Sequence, residues 1–325
     1  MRPRIPALVL LAVCLASLPW AATPPILRVV PWNGYPAALS LTFDNGDPTQ
    51  LDQAVPALDQ HGWKGTFFLA ANRINRREDW RKVFENGHEL GNHSLDLFHA
   101  ARLDPRAEES QVLGARNVLK KSFGVPVFTY AYPYGEISPG LKAQASKTHL
   151  AARGGEGPSY VLKPSDNPDW FNLPSRTIRA GGNPKLQQVW LGETRRNGGW
   201  TVLTIHAVGG TGEDAIPTDL FGRLLDGAEK SRFWVAPFGA VTSYWRAQKT
   251  IENATATAED GGIHWTWMKQ DFLPPETTVL VHLVPPVGSK ETWVATQEGT
   301  ALPGPGGLYR VRVGAQELKF CPSKR

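Results

Sequence analysis

The chain has 325 residues, 41% hydrophobic and 10% aromatic, with 35 Lys and Arg against 30 Asp and Glu for a formal charge of +5. That is material for one large globular domain and a small one, and it excludes a disordered, collagen-like or low-complexity chain. The positive charge is dispersed rather than gathered into a Lys/Arg run, so a nucleic-acid surface is not indicated.

At the start, Arg2 and Arg4 precede the apolar run 5–18, and Ala21-Ala22 follows. This is the pattern of a secretory signal over residues 1–22, too short to remain as a bilayer span. The expected location is secreted or periplasmic, with no integral membrane segment after processing and a charge of +3 once Arg2 and Arg4 are gone. Lipid anchoring at Cys14 is disfavoured, because Val13 is large for that processing. Processing would leave Cys321 and no intramolecular disulfide.

From residue 26 to about 248, short apolar runs alternate with amphipathic stretches. Strands are expected at 37–43, 65–70, 88–94, 127–134, 150–153, 200–207 and 233–241, and helices at 49–61, 77–86, 105–123, 185–196 and 218–231. About seven strand–helix alternations predict an α/β fold, an irregular (β/α) barrel of parallel strands over residues 23–248. After a polar stretch at 252–262, read as a linker or exposed loop, the pattern changes. Runs at 278–284, 291–295, 308–313 and 317–320 alternate apolar and polar residues between Pro/Gly breaks, which predicts a small β-sandwich-like all-β domain at 249–325. Trp265 and Trp267 fall on one face of a strand, as a sugar platform or as core, and Trp32, Trp63 and Trp170 admit the same two readings.

Four polar strand ends stand out. The strand ending Leu-Thr-Phe delivers Asp44-Asn45 just before Gly46 and the helix start Asp47-Pro48. Asp-Asn-Gly is equally ordinary turn chemistry, so this stretch alone leaves both readings open. A second strand ends at Gly91-Asn92-His93-Ser94, a third at Tyr132-Pro133-Tyr134-Gly135, and a fourth at Val202-Leu203-Thr204-Ile205-His206. A parallel barrel brings all such ends to one face, where α/β barrels place their chemistry.

Together these stretches resemble the NodB-homology polysaccharide deacetylases, carbohydrate esterase family four. Thr42-Phe43-Asp44-Asn45-Gly46 is similar to its Thr-Phe-Asp-Asp-Gly motif, and Gly91-Asn92-His93-Ser94 opens its His-Ser/Thr-x-x-His motif. The Tyr132–Gly135 turn and the apolar strand ending at His206 match two more, and Asp166-Asn167-Pro168-Asp169-Trp170 matches Asp-x-x-Asp-Trp. The resemblance covers about residues 37–246.

It implies hydrolysis of N- or O-acetyl groups on an acetylated polysaccharide or oligosaccharide, assisted by a divalent metal, usually zinc. Asp44 would be the general base and His206 the general acid. The Tyr134 N–H, beside Pro133, would serve an oxyanion hole, with Asp169 and Trp170 at the substrate. Metal ligands would be Asn45, His93 and His99, with Asp96, at i+3 from His93, as an alternative third ligand. Three positions depart from the family pattern. Asn45 replaces an Asp, Leu97 replaces the second motif-two His, and Ala131 replaces the Arg of motif three. Arg153, at the end of a neighbouring strand, is a candidate to supply the missing guanidinium to Asp44, or else a surface Arg. The alternative function is a catalytically impaired protein that binds carbohydrate without hydrolysing it.

Overall fold

The computed structural model describes residues 25–155, 159–210, 212 and 214–323. The expected signal segment 1–22 and Cys14 lie outside them. Seven parallel strands form a curled sheet in the order Ala151–Arg153, Thr129–Ala131, Glu89–Asn92, Thr66–Leu69, Ala38–Asn45, Trp200–Ile205 and Arg176–Thr177. Trp234–Val235 adds alongside the start of the Ala38–Asn45 strand. The gap between the two sheet edges is spanned by segment 173–177: Leu173 bridges Arg153, while Arg176 and Thr177 pair with Leu203 and Thr204.

Strand alternation sorts the side chains into two layers. Leu39, Leu41, Phe43, Phe67, Leu69, Leu90, Leu203 and Ile205 face outward into a core shared with the surrounding helices. Ala38, Phe68, Ala131, Ala151, Trp200 and Val202 fall in an inner cluster. Polar groups on the inward parity are satisfied within the barrel. Ser40 Oγ donates to the Ala236 carbonyl at 2.9 Å, and Thr42 Oγ1 to that of Leu203 at 2.9 Å. Following the same parity up each strand places Asp44, His93, Arg153 and His206 inward at the C-terminal rim.

Near the last predicted barrel strand the secondary structure differs. Only Trp234–Val235 of the expected 233–241 strand pairs, and after Pro237 the chain forms a helix, Phe238–Glu252. Proline cannot donate to a sheet ladder. The apolar residues beyond it serve two faces of a helix, Val241 and Trp245 toward the barrel and Tyr244, Ala247 and Ile251 toward the C-terminal sheets. A further helix not expected from the sequence, Pro139–Thr148, starts at Ser138, whose Oγ accepts from the Leu141 N–H at 3.0 Å.

The expected linker is instead a hairpin, Thr255–Glu259 with Gly262–Thr266. Its turn residues Asp260 and Gly261 both have positive φ, the geometry that Asp-Gly hairpin turns favour. The C-terminal region has two antiparallel sheets, one of five strands and one of three. The upstream strand Ile26–Val29 joins the smaller sheet by pairing with Thr278–Val284, an arrangement that residue order does not display. The aromatic residues left open above are packing groups. Trp265 and Trp267 are buried in the C-terminal core, Trp32 meets Trp245 at 5.7 Å, and Trp63 stacks on His61 at 4.7 Å. Among the described residues, no helix is long and apolar enough to cross a membrane.

Candidate active site

At the C-terminal rim lies a cavity of about 1000 Å³ lined by Asp44, Asn45, His93, Leu97, Pro133, Tyr134, Arg153 and His206, among others. Asp44 is 4% exposed and Arg153 3%. The Arg153 guanidinium donates through Nη2 to Asp44 Oδ1, and its Cζ lies 4.8 Å from the Phe68 ring centroid. The cation therefore reaches Asp44 from the Ala151–Arg153 strand. Ala131, on the adjacent strand, contributes only its backbone. Burial pushes the Asp44 carboxyl up, but the charges around it, the Arg153 guanidinium foremost, more than offset this and hold it below the ordinary carboxylate range. Asp44 is thus ionised at neutral pH.

His93 Nδ1 lies 2.8 Å from the Ala131 carbonyl. A carbonyl only accepts, so Nδ1 carries the proton and Nε2 presents a lone pair to the cavity. Nε2 is 3.8 Å from Asp44 Oδ2, beyond hydrogen-bond reach. Burial lowers the His93 pKa, and Arg153 and His206 add to this while Asp44 opposes it, so the imidazole is neutral.

Gln50 is a site-building residue that motif reading missed. Fully buried, it donates from Nε2 to the backbone carbonyls of both Asp44 and His206, each at 2.6 Å. One amide therefore pins the two strand ends that carry the candidate base and acid. The available sequence signal was a polar residue on an otherwise apolar helix face. Close packing imposes a glycine below the site: a Cβ on Gly91 would lie 2.4 Å from the Phe68 ring, the ring that underlies Arg153. On the same lining Tyr134 has φ 59°, is 60% exposed, and donates its hydroxyl to the Leu97 carbonyl at 3.0 Å.

Four residues expected from the sequence are not brought into this cavity. His99 pairs through Nδ1 with Glu136 at 2.8 Å and stacks on the Tyr134 ring at 4.1 Å. Asp96 accepts from Asn72 at 3.0 Å. Both follow Ser94, whose φ of 71° takes the chain out of the strand direction. Asp169 pairs with Lys142, and Trp170 packs edge-on against Trp245 at 5.0 Å.

These placements bear on a metal. Among the described residues, no group of three His, Cys, Asp or Glu is placed to hold an ion. Around Asp44 the donors are the His93 Nε2, the neutral Asn45 amide and a carboxylate already held by Arg153, while Leu97 offers none. The residues present do not fit a zinc centre with three protein ligands.

Residues 34–152 match the family profile described as polysaccharide deacetylase. A peptidoglycan-N-acetylglucosamine deacetylase from Bacillus cereus is 31% identical over 102 residues, 31% of this chain and 47% of that protein. A gellan lyase from Bacillus sp is 25% identical over 253 residues, 69% of this chain but 10% of that protein. The chain thus spans less than half the length of these relatives. Among solved structures, a putative polysaccharide deacetylase from Mycobacterium smegmatis superposes with a TM-score of 0.55 at 20% identity, covering 70% of this chain and 96% of that one. The fold is that of the polysaccharide deacetylases. Over residues 34–152 the chain is thus similar to the polysaccharide deacetylases, a family whose members are generally metal-dependent.

Proposed function

We propose that this chain hydrolyses acetyl groups, N- or O-linked, on a polysaccharide, with Asp44 as general base and His206 as general acid. The observation that carries this reading is a buried, ionised Asp44 sharing one cavity with His206 and tied to it through Gln50. Asp44 Oδ2, the oxygen that Arg153 leaves free, takes a proton from water as its oxygen adds to the acetyl carbonyl. His206 then gives a proton to the departing sugar nitrogen or oxygen, so that acetate and the free amine or hydroxyl leave. The Tyr134 N–H is assigned to the oxyanion, whose charge develops only during reaction. No step is routed through a metal, because the donor set does not build the expected cage. Export by the 1–22 signal belongs to the same proposal, since an acetylated cell-surface glycan lies outside the membrane.

The missing cage favours a second reading, a glycan-binding protein without hydrolysis. Acetate release from acetylated chitooligosaccharide, peptidoglycan and acetylxylan separates the two, measured with chelator, without addition and with zinc. The wild type is expected to release acetate, and Asp44→Asn and His206→Gln each to lose about a hundredfold or more. Glycan binding with no acetate under any metal condition would establish the second reading instead.

A further inference from the structure

One stretch of the cavity wall holds chemistry that hydrolysis of an acetyl group does not use. Arg176, Arg179, Tyr160 and Trp190 line it, with Asp214 the carboxylate on the same lining outside the Asp44 pair. The Arg176 guanidinium carbon lies over two rings, 4.9 Å from the Tyr160 centroid and 5.1 Å from that of Trp190. Its Nη2 donates to Glu193 at 2.9 Å. Its Nη1 is buried and, among the described residues, has no hydrogen-bond partner. Buried guanidinium N–H groups nearly always find an acceptor, so a small turn of this side chain toward the cavity would let a bound molecule supply one. Arg179 is exposed and forms no ion pair among the described residues.

We propose that this wall is a subsite for a carboxylate borne by the glycan, so that the substrate is an acidic rather than a neutral polysaccharide. The proposal rests on the reading that the cavity holds a glycan. A rigid planar guanidinium with a free N–H matches a carboxylate in a way an ammonium does not. Tyr160 and Trp190 also line the cavity, so a sugar entering beside Arg176 meets aromatic surface. Arg153 cannot serve here, because Asp44 occupies it.

The carboxylate can sit on the ring as a uronic acid, or on a lactyl ether as in muramic acid, and the probes separate these sources. Three tetrasaccharides are titrated calorimetrically into the full-length His206→Gln chain, which keeps the Asp44–Arg153 pair. One is N-acetylglucosamine alone, one alternates it with glucuronate, and one with N-acetylmuramate. At low salt, at least one acidic tetramer is expected to bind about tenfold to a hundredfold tighter than the neutral one, the range of charge-assisted hydrogen bonds. The preference is expected to shrink toward unity in Arg179→Ala, an exposed position that does not endanger folding. Arg176→Lys, which keeps the charge but loses the planar fork, is expected to reduce it as well. Equal affinity for all three tetramers, no binding of any, or a preference intact in both Arg variants would overturn the proposal. Acetate release by the wild type from the neutral tetramer is followed separately. Its absence counts against hydrolysis, while an acid preference in binding stands without it.

Discussion

The Arg153–Asp44 pair makes the sharpest demand on the structure. Both groups are almost fully buried, and Asp44 is held ionised mainly by this guanidinium against the cost of burial. Replacing Arg153 by Met keeps an unbranched apolar stem and removes the charge, leaving a buried carboxylate with two imidazoles, of which His93 is neutral. Breaking a buried pair from one side costs about 3–5 kcal/mol, the same order as two charges near 4 Å at an effective dielectric of 20. The pH dependence has a definite sign. In the wild type the Asp44 pKa is depressed, so its contribution is present above the unfolded-state value and is lost as pH falls through the folded-state value. In Arg153→Met the folded-state pKa is raised, and the variant regains stability as acid neutralises the carboxyl. The gap between the proteins is therefore largest at neutral pH and closes toward acid. Urea unfolding at pH 7.5 and near pH 4 measures it. Adding Asp44→Asn to Arg153→Met should restore much of the loss, because the unpaired charge is gone. The acid limb of any pH–rate profile should also move to higher pH. A neutral-pH stability equal to wild type, or a gap that widens in acid, would refute the assignment.

Gln50→Met removes the two donors that join the Asp44 and His206 carbonyls. It is expected to cost about 1–3 kcal/mol per unpaired carbonyl in urea unfolding, with kcat falling while KM stays close to wild type. Asn45→Asp with Leu97→His supplies the carboxylate and imidazole that the site lacks. The double variant is expected to bind one zinc per chain by calorimetry, more tightly than wild type, and to lose that binding when His93→Ala is added. Gly91→Ala drives a methyl into the Phe68 ring beneath Arg153 and is expected to cost about 1–3 kcal/mol, read as a lower urea midpoint.

Much of the barrel was legible because parallel strands buried on both faces leave continuous apolar runs that local sequence displays. The run at 233–241 misled for the same reason: apolar residues around Pro237 read alike whether a strand or a helix buries them. The 252–262 stretch misled in the opposite sense, since an exposed hairpin carries too few apolar residues to announce itself, although its Asp260-Gly261 turn was present.

At the site, the meeting of Asp44, His93 and His206 at one rim was legible in the sequence. Each ends an apolar strand, and alternation along a strand fixes which face its last side chain takes. What the sequence could not decide was which side chains from different segments meet. That Arg153, and not a residue of the Tyr132–Gly135 turn, holds Asp44 depends on strand order in the sheet. That His99 turns to Glu136 depends on the backbone leaving the strand at Ser94. That Gln50 reaches a strand end 156 residues away, and that Arg176 closes the barrel with an N–H unmet among the described residues, are products of through-space packing. Periodicity reports the environment of a side chain along its own strand; only the closed fold determines its neighbours.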